Sequence, residues 1–129
     1  MRKRLSSGSS FEAEMAYSRA IIDDDWVHVS GTTGFDYAAM TISGNVAEQA
    51  EQCFRNIQTV LEQAGATLAD VVRVRYILPE RDDFRKCWPV IRRYLGDVQP
   101  AATMFTAGLA DTRMKIEIEV TARKGAVSD

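Results

Sequence analysis

From Met114 to Thr121 the chain alternates without a break. Met114, Ile116, Ile118 and Val120 fall on one side of an extended backbone, and Lys115, Glu117, Glu119 and Thr121 fall on the other. No helix has that period. A strand with one apolar and one charged face requires a sheet whose dry side is covered by other elements, so the rest of the chain must supply both partner strands and a cover.

The cover is legible in two helical stripes. Val46, Ala50, Cys53, Phe54, Ile57, Leu61 and Ala64 recur at helical spacing. Asn45, three residues before Glu48, gives a capping-box-like start, and Gly65 supplies a stop. The second stripe holds Phe84, Trp88, Ile91 and Leu95, with Pro89 inside it. Because proline is best tolerated at the first helical position, a regular helix is expected from Pro89, with Asp82 to Trp88 forming a separate turn.

The partner strands follow from β-like runs bounded by turn residues. Tyr17 to Ile22 and Trp26 to Ser30 read as a hairpin around Asp23-Asp24-Asp25, and Val71 to Leu78 is a strand halted by Pro79. Ala102 to Ala107 and Met114 to Ala122 complete the set, while Gly31 to Gly44 reads as a strand end and loop. Residues 1–10 are small and polar, suited to a mobile arm or a short edge strand. The order is ββαβαββ, an α+β fold in one domain spanning 1–129, with both helices on one face of the sheet.

Two helices cover one side only. The other side is then expected to mix Trp26, Val71 and Ile77 with Arg73, Arg75, Glu117 and Glu119, too apolar for full solvation and too charged for a dry core. Such a face suits a subunit interface with polar pockets, so the chain is expected to form an oligomer with clefts between copies.

Composition narrows the function. With 16 basic and 18 acidic side chains the net charge is −2 and the pI is near 5.4, which makes nucleic acid a poor default partner. Cys53, Cys87 and His28 are the complete Cys and His inventory and have no metal-ligand spacing; no metal is expected. The basic start at Arg2-Lys3-Arg4 lacks the apolar run of an export signal, and no stretch is apolar enough to span a bilayer. A cytoplasmic location is expected.

Ordered along the chain, Tyr17, Ser30-Gly31, Asn56, Ala64-Gly65, Asp70-Val71-Val72, Asp83-Phe84, Pro100-Ala101 and Lys115-Ile116-Glu117-Ile118-Glu119 resemble the RidA/YjgF/UK114 family over about Tyr17 to Ala122. The resemblance implies a chorismate-mutase-like fold, a homotrimer with ligand clefts between subunits, and cofactor-independent hydrolysis of enamine or imine metabolites. In the best-studied branch an arginine after the Pro-Ala pair clamps the substrate carboxylate. Here that position is Ala102, which offers neither charge nor donor. The family's main-chain donor falls on Met104, its water-holding acid on Glu117 and its tyrosine on Tyr17, and Trp88 replaces a common asparagine. The implied mechanism has Glu117 activating water while Tyr17, Gly31 and Met104 hold the electrophile. The alternative is a non-catalytic metabolite-sensing or regulatory trimer.

Each residue also has a structural reading. Glu117 could instead pair across strands with Arg73 or Arg75, and Tyr17 could be an amphipathic interface residue. Ser30, Thr32, Thr33 and Thr103 have hydroxyls able to serve a ligand or the local backbone, and Gly31 could simply end a strand. Arg73 and Arg75 are candidates for a relocated carboxylate clamp or for interface ion pairs. His28 reads as structural, Cys53 as core, and Cys87 is reactive only if its thiol pKa is lowered.

Overall fold

The computed structural model describes residues 1–125. The strands are β1 (Arg2–Leu5), β2 (Ala20–Asp23), β3 (Trp26–Thr33), β4 (Phe35–Asp36), β5 (Thr41–Ile42), β6 (Val71–Leu78), β7 (Ala101–Thr106) and β8 (Glu117–Arg123). The helices are α1 (Ser10–Glu14), α2 (Val46–Gln63) and α3 (Asp83–Leu95). Six strands form a sheet in the order β1-β2-β3-β8-β6-β7, with β4 and β5 making a separate small hairpin. All neighbours are antiparallel except β6 and β7, which are parallel and joined through α3. The order ββαβαββ is thus kept, with β1 added as an edge strand.

The α2 stripe makes the core. Asn45 Oδ1 accepts the Glu48 N–H at 3.0 Å and caps its start, and Gly65, at φ +82°, turns the chain away after its end. Ala50, Cys53, Phe54, Ile57 and Leu61 are fully buried against Val27, Val74, Ile118 and Val120 from the sheet. Each large aliphatic or aromatic side chain buried this way stabilises the fold by about 1.5–3 kcal/mol. Gly34 lets the helix come close: a Cβ there would stand 2.7 Å from the Gln49 Cα.

Three sequence expectations are corrected. The second helix begins at Asp83, not Pro89, and carries Pro89 in its interior. Its first half is held by packing: Phe84 lies 5.2 Å from the Tyr76 ring and meets Trp88 edge-on at 6.1 Å, while Cys87 is fully buried. Burial of that stripe offsets the roughly 3 kcal/mol an interior proline costs. Val71 is buried rather than on the open face, because the β6/β8 register slips between Val71 and Arg73 and reverses its side.

The last strand starts at Glu117 rather than Met114. Buried Gln49 explains this: its Nε2 donates to the Ser43 and Arg113 carbonyls at 2.7 and 2.9 Å, and its Oε1 accepts the Lys115 N–H at 2.8 Å. Those backbone groups are thereby satisfied outside the ladder. Met114 consequently leaves the core face and lines a cavity.

The face opposite α2 and α3 keeps Trp26, Arg73, Arg75 and Phe105 exposed, with Ile77, Glu117 and Glu119 half-buried. Among the described residues no helix is long and apolar enough to cross a membrane.

Candidate functional site

A cavity of about 530 Å³ opens where β3 leaves its partner β8. The register between these strands shifts between Val29 and Thr32, so Ser30 and Gly31 form a bulge. The Ser30 N–H is taken by the Arg19 carbonyl at 3.0 Å, and its hydroxyl donates to the Ser18 carbonyl at 2.6 Å. Bulges of this kind re-aim the groups beside them. Here the bulge folds the segment before β2 against the end of β3.

Glu117 occupies the space Gly31 leaves. A Cβ at residue 31 would overlap Glu117 Oε2 and stand 2.8 Å from its Cδ. The carboxyl group makes no ion pair with Arg73 or Arg75; Arg75 instead faces Glu119 at 3.6 Å. Burial pushes the Glu117 pKa above the ordinary carboxylate range, the Arg19 guanidinium opposes that shift, and Glu119 adds to it. A carboxylate so placed is better matched to accept a proton near neutral pH than a solvated one.

Tyr17 lines the same cavity. The short helix α1, capped by Ser9 Oγ accepting the Phe11 N–H, ends in a turn with Ala16 at φ +57°, which directs Tyr17 inward. Burial raises the Tyr17 pKa, so its hydroxyl stays protonated and able to donate. Phe11 and Met15 from the α1 segment complete an apolar wall.

Arg19, which sequence reasoning passed over, sits between these groups and is 2% exposed. One of its terminal nitrogens donates to the Gly31 carbonyl at 2.6 Å, and the other reaches the Tyr37 hydroxyl at 3.5 Å. The Tyr17 and Tyr37 rings lie 5.7 and 5.9 Å from the guanidinium carbon. Its signal in the sequence was an arginine within the Tyr17 to Ile22 run, two residues from a site candidate.

The remaining candidates lie elsewhere. Ala102 pairs in register with buried Val74 and so faces the helix side, lining an apolar cavity of about 330 Å³ with Trp88, Phe84 and Tyr76. Met104 packs against the core from β7, and Thr103 is exposed. Within one chain, Ala102 and Glu117 therefore stand on opposite faces of the sheet. Arg73, Arg75 and His28 are exposed and line neither cavity. Cys87 is buried with its thiol pushed up to about 11, and burial also pushes the Cys53 thiol well above its ordinary value, so neither is an activated nucleophile. Thr32 donates to the Ser30 carbonyl, and Asn56 spends its amide on the Thr33 and Phe35 carbonyls.

A family model described as Endoribonuclease L-PSP matches residues 7–124. The chain belongs to this family, the RidA/YjgF/UK114 proteins. Among solved structures, a member of the highly conserved YjgF/YER057c/UK114 family from Mycobacterium tuberculosis is 35% identical. It superposes with a TM-score of 0.87 over 95% of this chain and 99% of that one. RidA from the Antarctic bacterium Psychrobacter sp. PAMC 21119 is 29% identical, with a TM-score of 0.80 over 94% of both chains. A human relative, 28% identical over 99% of this chain and 94% of its own, is named 2-iminobutanoate/2-iminopropanoate deaminase. The rat protein of the same name is 30% identical over 97% and 92%. At the level of the family, RidA relatives thus support a deaminase-type function on imines.

Proposed function

We propose that this RidA-family protein is a cofactor-independent hydrolase of a small imine or enamine, acting at the Glu117 cavity. The observation that carries the reading is the Glu117 carboxyl group itself. It is half-buried, raised in pKa, seated against a residue with no Cβ, and faces Tyr17 across a cavity of metabolite size.

In the proposed step Glu117 takes a proton from water as the water oxygen bonds to the imine carbon. That proton passes to nitrogen to give the carbinolamine; the carbinolamine hydroxyl then gives its own proton to nitrogen, by way of Glu117, as the C–N bond breaks, and a carbonyl compound and ammonia leave. The Tyr17 hydroxyl holds the electrophile, and an enamine enters after protonation at carbon gives the imine. An alanine at 102 leaves this cavity to find its substrate without the arginine of the best-studied branch.

The open face supports self-association. Trp26 and Phe105 are 41% and 43% exposed beside half-buried Ile77, and a homotrimer in which copies cover one another's sheets would bring β7 of one copy, with Ala102, Thr103 and Met104, toward the Glu117 cavity of the next. The net charge of −2 disfavours RNA as the partner, and a cytoplasmic location fits the substrate class.

The test is ammonia release from 2-iminopropanoate generated in place, for wild type against Glu117→Gln. Acceleration that disappears in the variant is expected; equal rates would sink the hydrolytic role of Glu117. The absence of an arginine at 102 is the observation favouring a second reading, a metabolite sensor. A sensor would be stabilised by ligand without consuming it.

A further inference from the structure

A guanidinium is a cation that is costly to bury without a partner, yet Arg19 is 2% exposed, and no carboxylate lies within ion-pairing distance of it among the described residues. Its Nε is buried with no hydrogen-bond partner. A guanidinium has five donors. The Gly31 carbonyl and the Tyr37 hydroxyl are the acceptors it has found, and two tyrosine rings provide the rest of its surroundings.

A scaffold that needed only to hold the Gly31 carbonyl could use a neutral donor and avoid burying a charge, which is costly unless an anion is near. Glu117 and the buried Glu12 act on Arg19 through space, but neither touches the guanidinium. The Nε–H is therefore without an acceptor until a ligand brings one.

We propose that Arg19 is the specificity-determining residue of this cavity, making it select ligands that carry a carboxylate and so relocating charge recognition from position 102 to the floor beneath Tyr17 and Tyr37. The assignment rests on the reading that ligands bind beside Glu117. It does not require that they be hydrolysed. Arg73 and Arg75, the sequence candidates for a relocated clamp, lie on the open face outside the cavity.

The experiment compares binding of pyruvate with that of its neutral amide, pyruvamide, by calorimetry on the full chain, for wild type, Arg19→Lys and Arg19→Gln. In parallel, the Nε–H resonance of Arg19 is followed by NMR in wild type. Expected are at least a tenfold preference for pyruvate in wild type, a preference kept in part by Arg19→Lys and lost in Arg19→Gln, and a shift of the Nε–H resonance with pyruvate alone. No preference in wild type, no binding of either probe, or a preference that survives in folded Arg19→Gln overturns the proposal. If Arg19→Gln does not fold, the wild-type resonance decides: a shift common to both probes, or to neither, overturns it. Pyruvate selectivity with no ammonia release would leave the Arg19 assignment standing and defeat the hydrolase reading alone.

Discussion

Replacing Gly31 with alanine separates the chemistry of the site from the stability of the fold. Ordinary contact begins at 3.4 Å, whereas the new Cβ would stand 2.8 Å from Glu117 Cδ. The Cδ must therefore retreat by 0.6 Å, and Oε2, which lies nearer, by more. Glu117 is half-buried with its carboxyl group seated beside Gly31 at the cavity wall, so the side chain can swing into the cavity without moving β8, and the cost in stability stays near about 1 kcal/mol. A misplacement on the order of 1 Å at a reacting group costs about 100-fold in rate, equivalent to about 2.7 kcal/mol of barrier. The control is Gly34→Ala, where the new Cβ meets the Gln49 Cβ at 2.6 Å and its Cα at 2.7 Å. A helix backbone cannot swing aside, and the loss there is stability, about 3 kcal/mol. Urea unfolding at one fixed protein concentration and initial rates of ammonia release from 2-iminopropanoate read the two effects. Gly31→Ala should keep its unfolding midpoint and lose rate; Gly34→Ala should lose midpoint and keep its rate per folded molecule. A Gly31→Ala enzyme within threefold of wild type would refute the reasoning, because the Glu117 carboxylate could then leave its seat without consequence.

Glu117→Gln should be more stable than wild type at neutral pH: burial raises the folded-state pKa, so this group's favourable contribution is present below the ordinary carboxyl value of 4.5 and lost as pH rises through the raised one. Thermal melts should show the gap between variant and wild type closing as pH falls through the raised value toward 4.5, and a constant gap would contradict the assignment. Cys87, with its thiol pushed up to about 11, should resist a disulfide reagent at pH 7 until denaturant is added; rapid labelling of the native protein would contradict its burial. Ala102→Arg adds a side chain at an exposed edge position and should change stability by no more than about 0.5 kcal/mol, while raising 2-iminopropanoate turnover in a Glu117-dependent way. Phe105→Glu places a charge on the open face and should reduce the mass measured by light scattering to that of one chain; an unchanged mass would locate the interface elsewhere.

Periodicity revealed what depends on one element at a time. The α2 stripe, its Asn45 cap and the Gly65 stop needed no information from the rest of the chain, and the alternation of β6 and β8 was visible in the same way. What it could not reveal depends on two elements meeting. Pro89 argues locally for a helix start, but Cys87 is buried against α2 and half-buried Phe84 packs on Tyr76 of β6, and that tertiary packing overrides the local preference. Gln49 has the look of a polar residue on a helix flank, and nothing local says that it will take the 113–115 backbone out of the ladder. At the site, Glu117 and Tyr17 were found through resemblance and strand faces. Arg73 and Arg75 stand on a regular strand, where alternation assigns each a face, whereas Arg19 precedes β2, where no local rule says which way its side chain turns.

The bulge at Ser30-Gly31 links these features. Had β3 paired with β8 in unbroken register, Gly31 would be an ordinary ladder position, and Glu117, one face of a strand, would project into solvent or toward a cross-strand arginine like its neighbour Glu119. At the slip the Ser30 N–H continues the β2/β3 ladder by donating to the Arg19 carbonyl, and the Gly31 carbonyl accepts from the Arg19 guanidinium. That draws a cation beneath a carboxylate already raised by burial, while the missing Cβ leaves the carboxylate room. One extra residue in a strand thus brings an acid, a buried cation and a phenol to the same cavity. The alternation of β8 runs unbroken through Glu117, so it is the bulge in β3 rather than any irregularity in β8 that opens the cavity on which the proposed chemistry depends.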